Sequence, residues 1–169
     1  MSTLYVDTIT EKTVGNGVQI PGHVVQVVNA SSTSKLLTNS QSHADLPGMS
    51  ASITPKNATS KILITYVNHI YVAQINPANT WQAACINLFR GSTLIREEST
   101  SEYNTGHHTA SVTDRFMDYQ TIVYYDSPAT TSTITYKLQG AARTSNGSIH
   151  FNEPGYGEGG TITLMEIAQ

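Results

Sequence analysis

Alternation of apolar and polar residues with a period of two is the feature that most constrains the fold of this chain. In the run 131–139, for example, Ile134, Tyr136 and Leu138 share one face, and hydroxyl or polar residues share the other. Similar runs recur between residues 23 and 167, and no window of eleven residues fits the spacing of an amphipathic helix well. Short regular strands without helices predict an all-β domain, either a sandwich, a jelly roll or a barrel.

The runs and the turn signals between them predict eight or nine strands. Their approximate positions are 23–28, 49–54, 61–73, 82–90, 92–96, 116–125, 131–139, 148–151 and 160–167. The long run 61–73 is expected to bend near Asn68. The least regular stretches are predicted to be loops, and loops are where binding residues concentrate: 29–48, 74–81, 97–114 and 140–160.

Composition agrees with this fold class. The chain has 23 Thr, 17 Ser and 11 Asn among 169 residues, whereas charged residues make up only 12%. Threonine and the nine tyrosines favour strands, and serine, asparagine and glycine favour turns. Charged residues ordinarily make up about 25% of a chain. A polar but largely uncharged surface is therefore expected.

Several classes of partner are excluded by charge and hydropathy. The net charge is −3, and the nine lysines and arginines are scattered singly, so no basic stripe for nucleic acid is expected. No apolar run approaches the roughly 20 residues of a membrane span, so no membrane insertion is expected. The first residues lack the basic and apolar regions of a signal peptide. Synthesis in a cytoplasm without secretion is therefore predicted.

The sequence predicts no metal site and no cofactor. His107 and His108 are adjacent, so on a strand they would face opposite ways, and no third ligand stands at a familiar spacing. A ring of histidines around a symmetry axis stays open as an alternative. The pattern G-x-G-x-x-G occurs at 155–160, but a predicted strand follows it where dinucleotide binding requires a helix. Cys85 stands alone in an apolar setting, which favours a buried structural thiol.

Catalytic signatures are missing as well. The chain has no G-x-S-x-G, no H-E-x-x-H and no P-loop. The acidic residues Glu97, Glu98, Glu102 and Asp114 lie in a predicted loop with nothing that marks them as an acid–base pair. The sequence therefore predicts a protein that is not an enzyme and has no catalytic residue.

Residues 1–22 differ from the rest and are predicted to form an N-terminal arm, with residues 23–169 as the head. Gly15, Gly17 and the pair Pro21-Gly22 interrupt the segment, so it can bury little apolar area alone. Its aliphatic side chains nevertheless indicate that it pairs with something else: Leu4, Val6, Ile9, Val18 and Ile20. Another subunit or another protein could supply that surface.

Seven stretches resemble a family of virion structural proteins, described as tail-fibre-like, from tailed phages of aquatic bacteria. They are 1–10 (MSTLYVDTIT), 17–27 (GVQIPGHVVQV), 50–55 (SASITP), 59–64 (TSKILI), 88–93 (LFRGST), 125–131 (YDSPATT) and 161–167 (TITLMEI). The resemblance implies a homotrimeric jelly-roll head like those of the C1q and tumour-necrosis-factor families, behind an N-terminal attachment arm. It brings no catalytic residue.

In that context the chain is expected to be exposed on the phage particle, after synthesis in the bacterial cytoplasm. One hypothesis is a tail fibre or appendage tip that is held by its arm to another virion protein and binds a host-surface glycan. The alternative is a trimeric capsid decoration protein that stabilises the phage head.

Candidate glycan contacts are residues of types that stack on sugar rings or bond their hydroxyls: Trp81, Asn79, Tyr103, His107 and His108. The alternative for Trp81 is that its ring caps the core at the start of a strand.

Overall fold

The computed structural model describes residues 5–11, 20–73, 80–98, 105–109, 116–155 and 159–169. Within these ranges the chain forms eleven strands and no helix. They are β1 (Val24–Ser32), β2 (Leu36–Thr38), β3 (Ala44–Ile53), β4 (Lys61–Ala73), β5 (Thr80–Arg90), β6 (Thr93–Glu98), β7 (Thr105–Thr109), β8 (Phe116–Asp126), β9 (Ile134–Ala142), β10 (Ser148–Phe151) and β11 (Gly160–Ile167).

The strands form two antiparallel sheets, and the prediction of an all-β chain is confirmed. In sheet A, β4 pairs with β8 along one edge and with β11 and then β10 along the other, while β1 and β2 continue the sheet outward. In sheet B the order is β3-β9-β5, with β6 and β7 both pairing with β5. Counting collinear strands once, each sheet has four rows.

The strands pair in a nested order along the chain. The first row pairs with the last (β1 with β11, β2 with β10), β3 pairs with β9, and β4 pairs with β8. The innermost pair is β5 with β6 and β7. Two four-row sheets joined in this nested order make a jelly roll.

Two segments predicted as loops contain strands instead. The stretch 29–48 holds β2 and the beginning of β3, and 97–114 holds β7. Pro47-Gly48, interpreted as a turn before a strand, lies inside β3, where the register against β9 shifts between Asp45 and Ser50. Gly48 has φ +70°, and a Cβ there would lie 2.6 Å from Ser32 Oγ. The bulge therefore requires glycine, because an added Cβ would be strained and would collide with β1.

The hydrophobic core lies between the sheets. From β4 it includes Ile62, Ile64 and Tyr66, which are all fully buried on one face as the alternation predicts. Facing them from sheet B are Ile86 and Leu88. The pairing of β4 with β8 is continuous past Asn68, where the sequence predicts a bend, because the register from Ile62 to Val72 has no shift.

A buried carboxylate joins the two sheets. Asp126, at the end of β8, accepts hydrogen bonds from Arg90 Nη1 at 2.9 and 3.0 Å and from Tyr136 Oη at 2.6 Å. Arg90 and Tyr136 belong to sheet B, and Asp126 belongs to sheet A. Burial, with the neighbouring Asp126 carboxylate, raises the pKa of Tyr136 above its usual range. The tyrosine thus stays a neutral donor to the carboxylate.

Three cross-strand rows on the outward side of sheet A, which we call the outer face, contain six apolar or aromatic side chains and six uncharged polar ones. The rows are Tyr125–Leu63–Met165–Val27, Val123–Thr65–Thr163–Asn29 and Thr121–Val67–Thr161–Ser31. On the β8 side Val123 is 56% exposed and Tyr125 46%. Among the described residues β8 pairs only with β4, so its other edge has no partner strand, and Arg96 Nη1 donates to the carbonyl oxygen of Val123 at 3.4 Å. Apolar side chains beside a free strand edge are typical of a surface that another chain covers.

The outward side of sheet B is different. There Lys137 pairs with Asp45 at 2.9 Å, and hydroxyls form a ladder in which Ser52 bonds Thr135 at 2.7 Å. Charges and paired hydroxyls of this kind are well solvated, so this side does not require a covering partner.

The sandwich has two distinct ends. At the arm end, Gly22 N donates to Ala168 O, next to the start of β4 and the end of β8. The opposite end carries the end of β4, the β2 region and the segment before β10. Since β4 has 13 residues, these ends are about 40 Å apart. In the part of the chain that is described, no helix is long and apolar enough to cross a lipid bilayer.

Replacing the carboxylate between the sheets should cost considerable stability. Asp126→Ala leaves Arg90 and Tyr136 without their partner, and we expect the free energy of unfolding to fall by about 2–3 kcal/mol. The matched control Asp45→Ala breaks an exposed ion pair and should cost ~1 kcal/mol or less. Urea unfolding followed by circular dichroism measures both, and equal losses would contradict the role assigned to Asp126.

Candidate functional site

A cleft of about 640 Å³ opens at the end of the sandwich opposite the arm. Residues of β2, β4 and β10 and of the segment before β10 line it: Leu37, Thr38, Asn39, Tyr71, Ala73, Ser145, Asn146, Gly147, Ser148 and His150. The three strands meet here because β10 pairs with β4 on one side and with β2 on the other. This volume is within the range of about 300–1,000 Å³ that is usual for small-molecule sites.

A hydrogen-bonded relay runs along one wall of the cleft. Ser148 Oγ lies 3.1 Å from His150 Nε2, and His150 Nδ1 lies 2.6 Å from Glu153 Oε2. Ser148 and His150 are two residues apart on one strand, so their side chains share a face. An ionised carboxylate can only accept, so Nδ1 carries the proton, and in the neutral imidazole Nε2 is then an acceptor. The relay fixes the orientation of the ring.

Glu153 is held by two donors. The hydrogen bond from His150 and the nearby Lys35, whose Nζ is 3.3 Å from Glu153 Oε1, keep the pKa of Glu153 below its ordinary value. His150 packs edge-on against Tyr71, with ring centroids 4.8 Å apart. The imidazole is therefore positioned from two sides.

Hydroxyl, imidazole and carboxylate stand here in the order of a serine nucleophile triad. Two observations favour a binding role. Ser148 Oγ also lies 3.4 Å from the carbonyl of Ala73, so its proton has a second acceptor. Glu153 also forms an ion pair with Lys35, so its carboxylate would stabilise a positive charge on His150 less strongly. We interpret the relay as an array that fixes donors and acceptors for a bound molecule.

The wall formed by 144–147 is braced from inside the protein. Gln82 is fully buried, and its Nε2 donates to the carbonyls of Thr144 and Gly147, both at 2.8 Å. Its Oε1 accepts from the backbone N–H of Ala83 and of Thr144. A buried amide with this many partners holds the backbone around it in place. The shape of the cleft thus exists before any ligand arrives.

No cluster of three or more potential metal ligands occurs among the described residues. Cys85 is 3% exposed, as expected for a structural thiol, and burial raises its pKa. A thiol held in its protonated form is a poor nucleophile and a poor metal ligand.

Of the five predicted glycan contacts, three belong to described strands near the end of the molecule that carries the cleft, and two lie outside the described residues. In the register of β5 and β7, position 81 is opposite 108 and position 82 is opposite 107, so Trp81 and His108 are cross-strand neighbours in the backbone. Asn79 and Tyr103 lie outside the described residues. The assignment of all five to a binding surface stays a prediction.

Three of the predicted arm residues are described, and all of them are exposed. Val6 is 51% exposed, Ile9 58% and Ile20 39%. Leu4 and Val18 lie outside the described residues. The division into an arm at 1–22 and a head at 23–169 stays a prediction.

Sequence reasoning missed the cleft. The spacing Ser-x-His inside the predicted strand 148–151 already placed two polar side chains on one face, and Glu153 follows three residues after His150. That signal could have been found in the sequence. The contributions of Tyr71 and Asn39 could not be predicted, because they depend on which strands pair.

The Glu153 carboxylate should stabilise the protein at neutral pH but not in acid. Because its pKa is lower in the folded than in the unfolded chain, its contribution is complete above the unfolded value and disappears as pH falls through the folded value. Glu153→Gln should therefore lower stability by about 1 kcal/mol at pH 7, and the difference should begin to shrink near the unfolded value of about pH 4.3 and be much smaller at about pH 2. Thermal unfolding at both pH values measures it. As the control, Glu97→Gln removes an exposed carboxylate without a described hydrogen bond, and it should leave the stability unchanged at both pH values. If Glu153→Gln were less stable than the parent by the same amount at both pH values, that result would contradict the relay.

No protein-family model matches the chain, and no curated protein matches its sequence. A chain in the structure of infectious bursal disease virus, Gt strain, is similar over 98% of this chain and 43% of its own length, with 12% identity and a TM-score of 0.41. A chain of T=1 particles derived from infectious bursal virus is similar over 100% of this chain and 41% of its own, with 15% identity and a TM-score of 0.37. This chain thus spans less than half the length of these viral chains. Because both TM-scores are below 0.5, the jelly-roll assignment rests on the strand pairings alone.

Proposed function

We propose that this chain is a non-enzymatic structural protein of a bacteriophage virion, a homotrimeric tail-fibre or appendage tip that binds the host surface. The observation that carries the proposal is the outer face of sheet A. Its three rows contain no charged side chain, and it ends at the free edge of β8. A surface of this kind is suited to repeated contact with copies of the same chain.

Charge distribution supports self-association through this side of the molecule. The outward side of sheet B carries the ion pair of Lys137 with Asp45. It also carries two hydroxyl pairs, Ser52 with Thr135 and Thr54 with Thr133. Burying the outer face of sheet A would remove Val123 and Tyr125 from water, provided that Lys61, whose Nζ lies 5.3 Å from the centre of the Tyr125 ring, keeps its ammonium group in solvent at the rim. The number of three copies comes from the resemblance to trimeric jelly-roll heads.

The arm supports attachment to a further virion protein. Val6, Ile9 and Tyr5 expose their side chains, and Tyr5 does so to 91%. Ordering an arm costs about 1–2 kcal/mol per residue, and exposed apolar side chains offset that cost only when a partner covers them. The arm joins the head beside the C-terminus, whereas the cleft and the backbone of positions 81, 107 and 108 lie toward the opposite end. Host contact through Trp81, Asn79, Tyr103, His107 and His108 belongs to this proposal.

A capsid decoration protein is the second candidate. The observation that favours it is that the described head is one sandwich with no repeated shaft segment. An arm that adds a strand to a shell subunit would suit that role. Copy number separates the two: hundreds of copies per virion mean decoration, and a few to a few tens mean an appendage.

A charge placed on the outer face should dissociate the trimer without unfolding the subunit. Val123→Asp should weaken association by at least about 2 kcal/mol, or ~30-fold in the dissociation constant, because burying a carboxylate in the contact costs several kcal/mol and the nearby Arg96 guanidinium would offset only part of that cost. The control Ser52→Asp puts the same charge on the outward side of sheet B and should leave the trimer intact. Sedimentation equilibrium measures the molecular mass, and the parent protein should have the mass of three chains of 18.3 kDa each. A parent protein with the mass of one chain would contradict the proposal, as would a Val123→Asp trimer.

Removal of the arm should prevent attachment to the virion but leave trimer formation intact. A chain lacking residues 1–22 should still fold and form the trimer, because every described strand of both sheets lies beyond residue 22. It should fail to enter virions in a complementation assay, since the attachment segment is gone. A monomeric product would show that the arm belongs to the trimer core, and normal incorporation would refute the attachment role.

A further inference from the structure

We infer that the cleft at the end opposite the arm is a binding site for a neutral saccharide, separate from positions 79, 81, 103, 107 and 108. This inference deepens the proposed host contact, and its first support is the chemistry of the lining. The ten lining residues that the structure describes include no lysine, arginine, aspartate or glutamate. Two asparagines, two serines, a threonine and a histidine supply donors and acceptors. Such a surface favours a ligand that is polar and uncharged.

The lining also offers apolar area. Leu37 is 52% exposed at the rim, and Tyr71 and His150 stand edge-on against each other in the wall. A sugar ring has hydroxyl groups around its edge and C–H groups on its faces, so it requires hydrogen-bonding groups and apolar contact side by side. Asn146, Ser145 and Leu37 supply both within one cleft. A phosphate or carboxylate ligand is most strongly held by arginine or lysine, and the described lining contains neither.

Pre-organisation is the third support. Gln82 fixes the wall at 144–147 through three hydrogen bonds at 2.8–3.2 Å. On the other side, Ala142 N donates to Ser40 O at 2.8 Å, and Gln41 Nε2 donates to Arg143 O at 2.7 Å. A weakly bound ligand such as a saccharide gains most from a site that is ordered in advance, because binding then costs little conformational entropy.

The position of the cleft suits this ligand. It lies about 40 Å from the junction with the arm, measured along β4, so a particle-bound molecule would present it outward. In the proposed trimer, three such clefts would engage a polysaccharide together. Weak single sites then combine into firm attachment.

Saturation-transfer NMR on the full-length protein tests the inference with six free sugars: glucose, galactose, mannose, rhamnose, N-acetylglucosamine and N-acetylgalactosamine. We expect at least one of them to receive saturation at millimolar concentration and to shift the amide signals of residues 37–39 and 145–148. Asn146→Ala removes an amide that has no described side-chain hydrogen bond, and it should weaken binding up to about tenfold. Ser145→Trp should abolish binding by filling the cleft.

The control is Ser127→Trp, which puts the same ring at the arm end. It should bind like the parent, and binding by Ser145→Trp would overturn the inference. Absence of transfer from all six sugars would overturn it as well. Sedimentation of the same samples keeps the two proposals apart. A trimer that binds no sugar contradicts only the saccharide site, and a monomer that binds sugar in the cleft contradicts only the trimer.

Discussion

Hydrogen bonding along both edges of β4 is the constraint on which the other features depend. One edge is occupied by β8 from Ile62 to Val72, and the other is divided between β11 and β10. Because β10 and β11 are collinear on this edge, the chain between them has to leave the sheet and return to it. This division puts Ser148 and His150 beside Tyr71 at one end of β4, and Met165 beside Leu63 at the other. One long strand therefore positions both the cleft and the apolar rows.

Buried polar groups hold the arm end together. Glu166 is fully buried on β11, and it accepts from the backbone N–H of Lys56 and Asn57 and from Gln26 Nε2. Asp126 plays a similar part between the sheets with Arg90 and Tyr136. A buried carboxylate without such donors would cost several kcal/mol, so each one specifies a single arrangement of its neighbours. The loop before β4 and the end of β8 are ordered in this way.

Much of the strand content could be predicted from the sequence, because a half-buried strand has to alternate its side chains. The exceptions have physical reasons. β2 has three residues, too few to show a period, and β7 (Thr105–Thr109) has no large apolar side chain, so pairing with β5 has to hold it in place. The bulge at Pro47-Gly48 resembles a turn in sequence. The nested pairing and the composition of the cleft depend on register across distant strands, which periodicity does not contain. The expected trimer and arm rest on resemblance and on exposed residues.

The nested order of the strands has a consequence for how the chain folds. β1 begins at Val24, yet its only partner among the described strands is β11, which begins at Gly160. A chain emerging from the ribosome therefore completes the innermost pair, β5 with β6 and β7, long before sheet A can close. Until the last eight-residue strand arrives, β1 and one edge of β4 stay unpaired. Long-range pairing of this kind is slow and leaves strand edges open to other chains. High local concentration of nascent copies would then favour mispairing before the sandwich closes, and growth at reduced temperature or with chaperones should raise the yield of native protein.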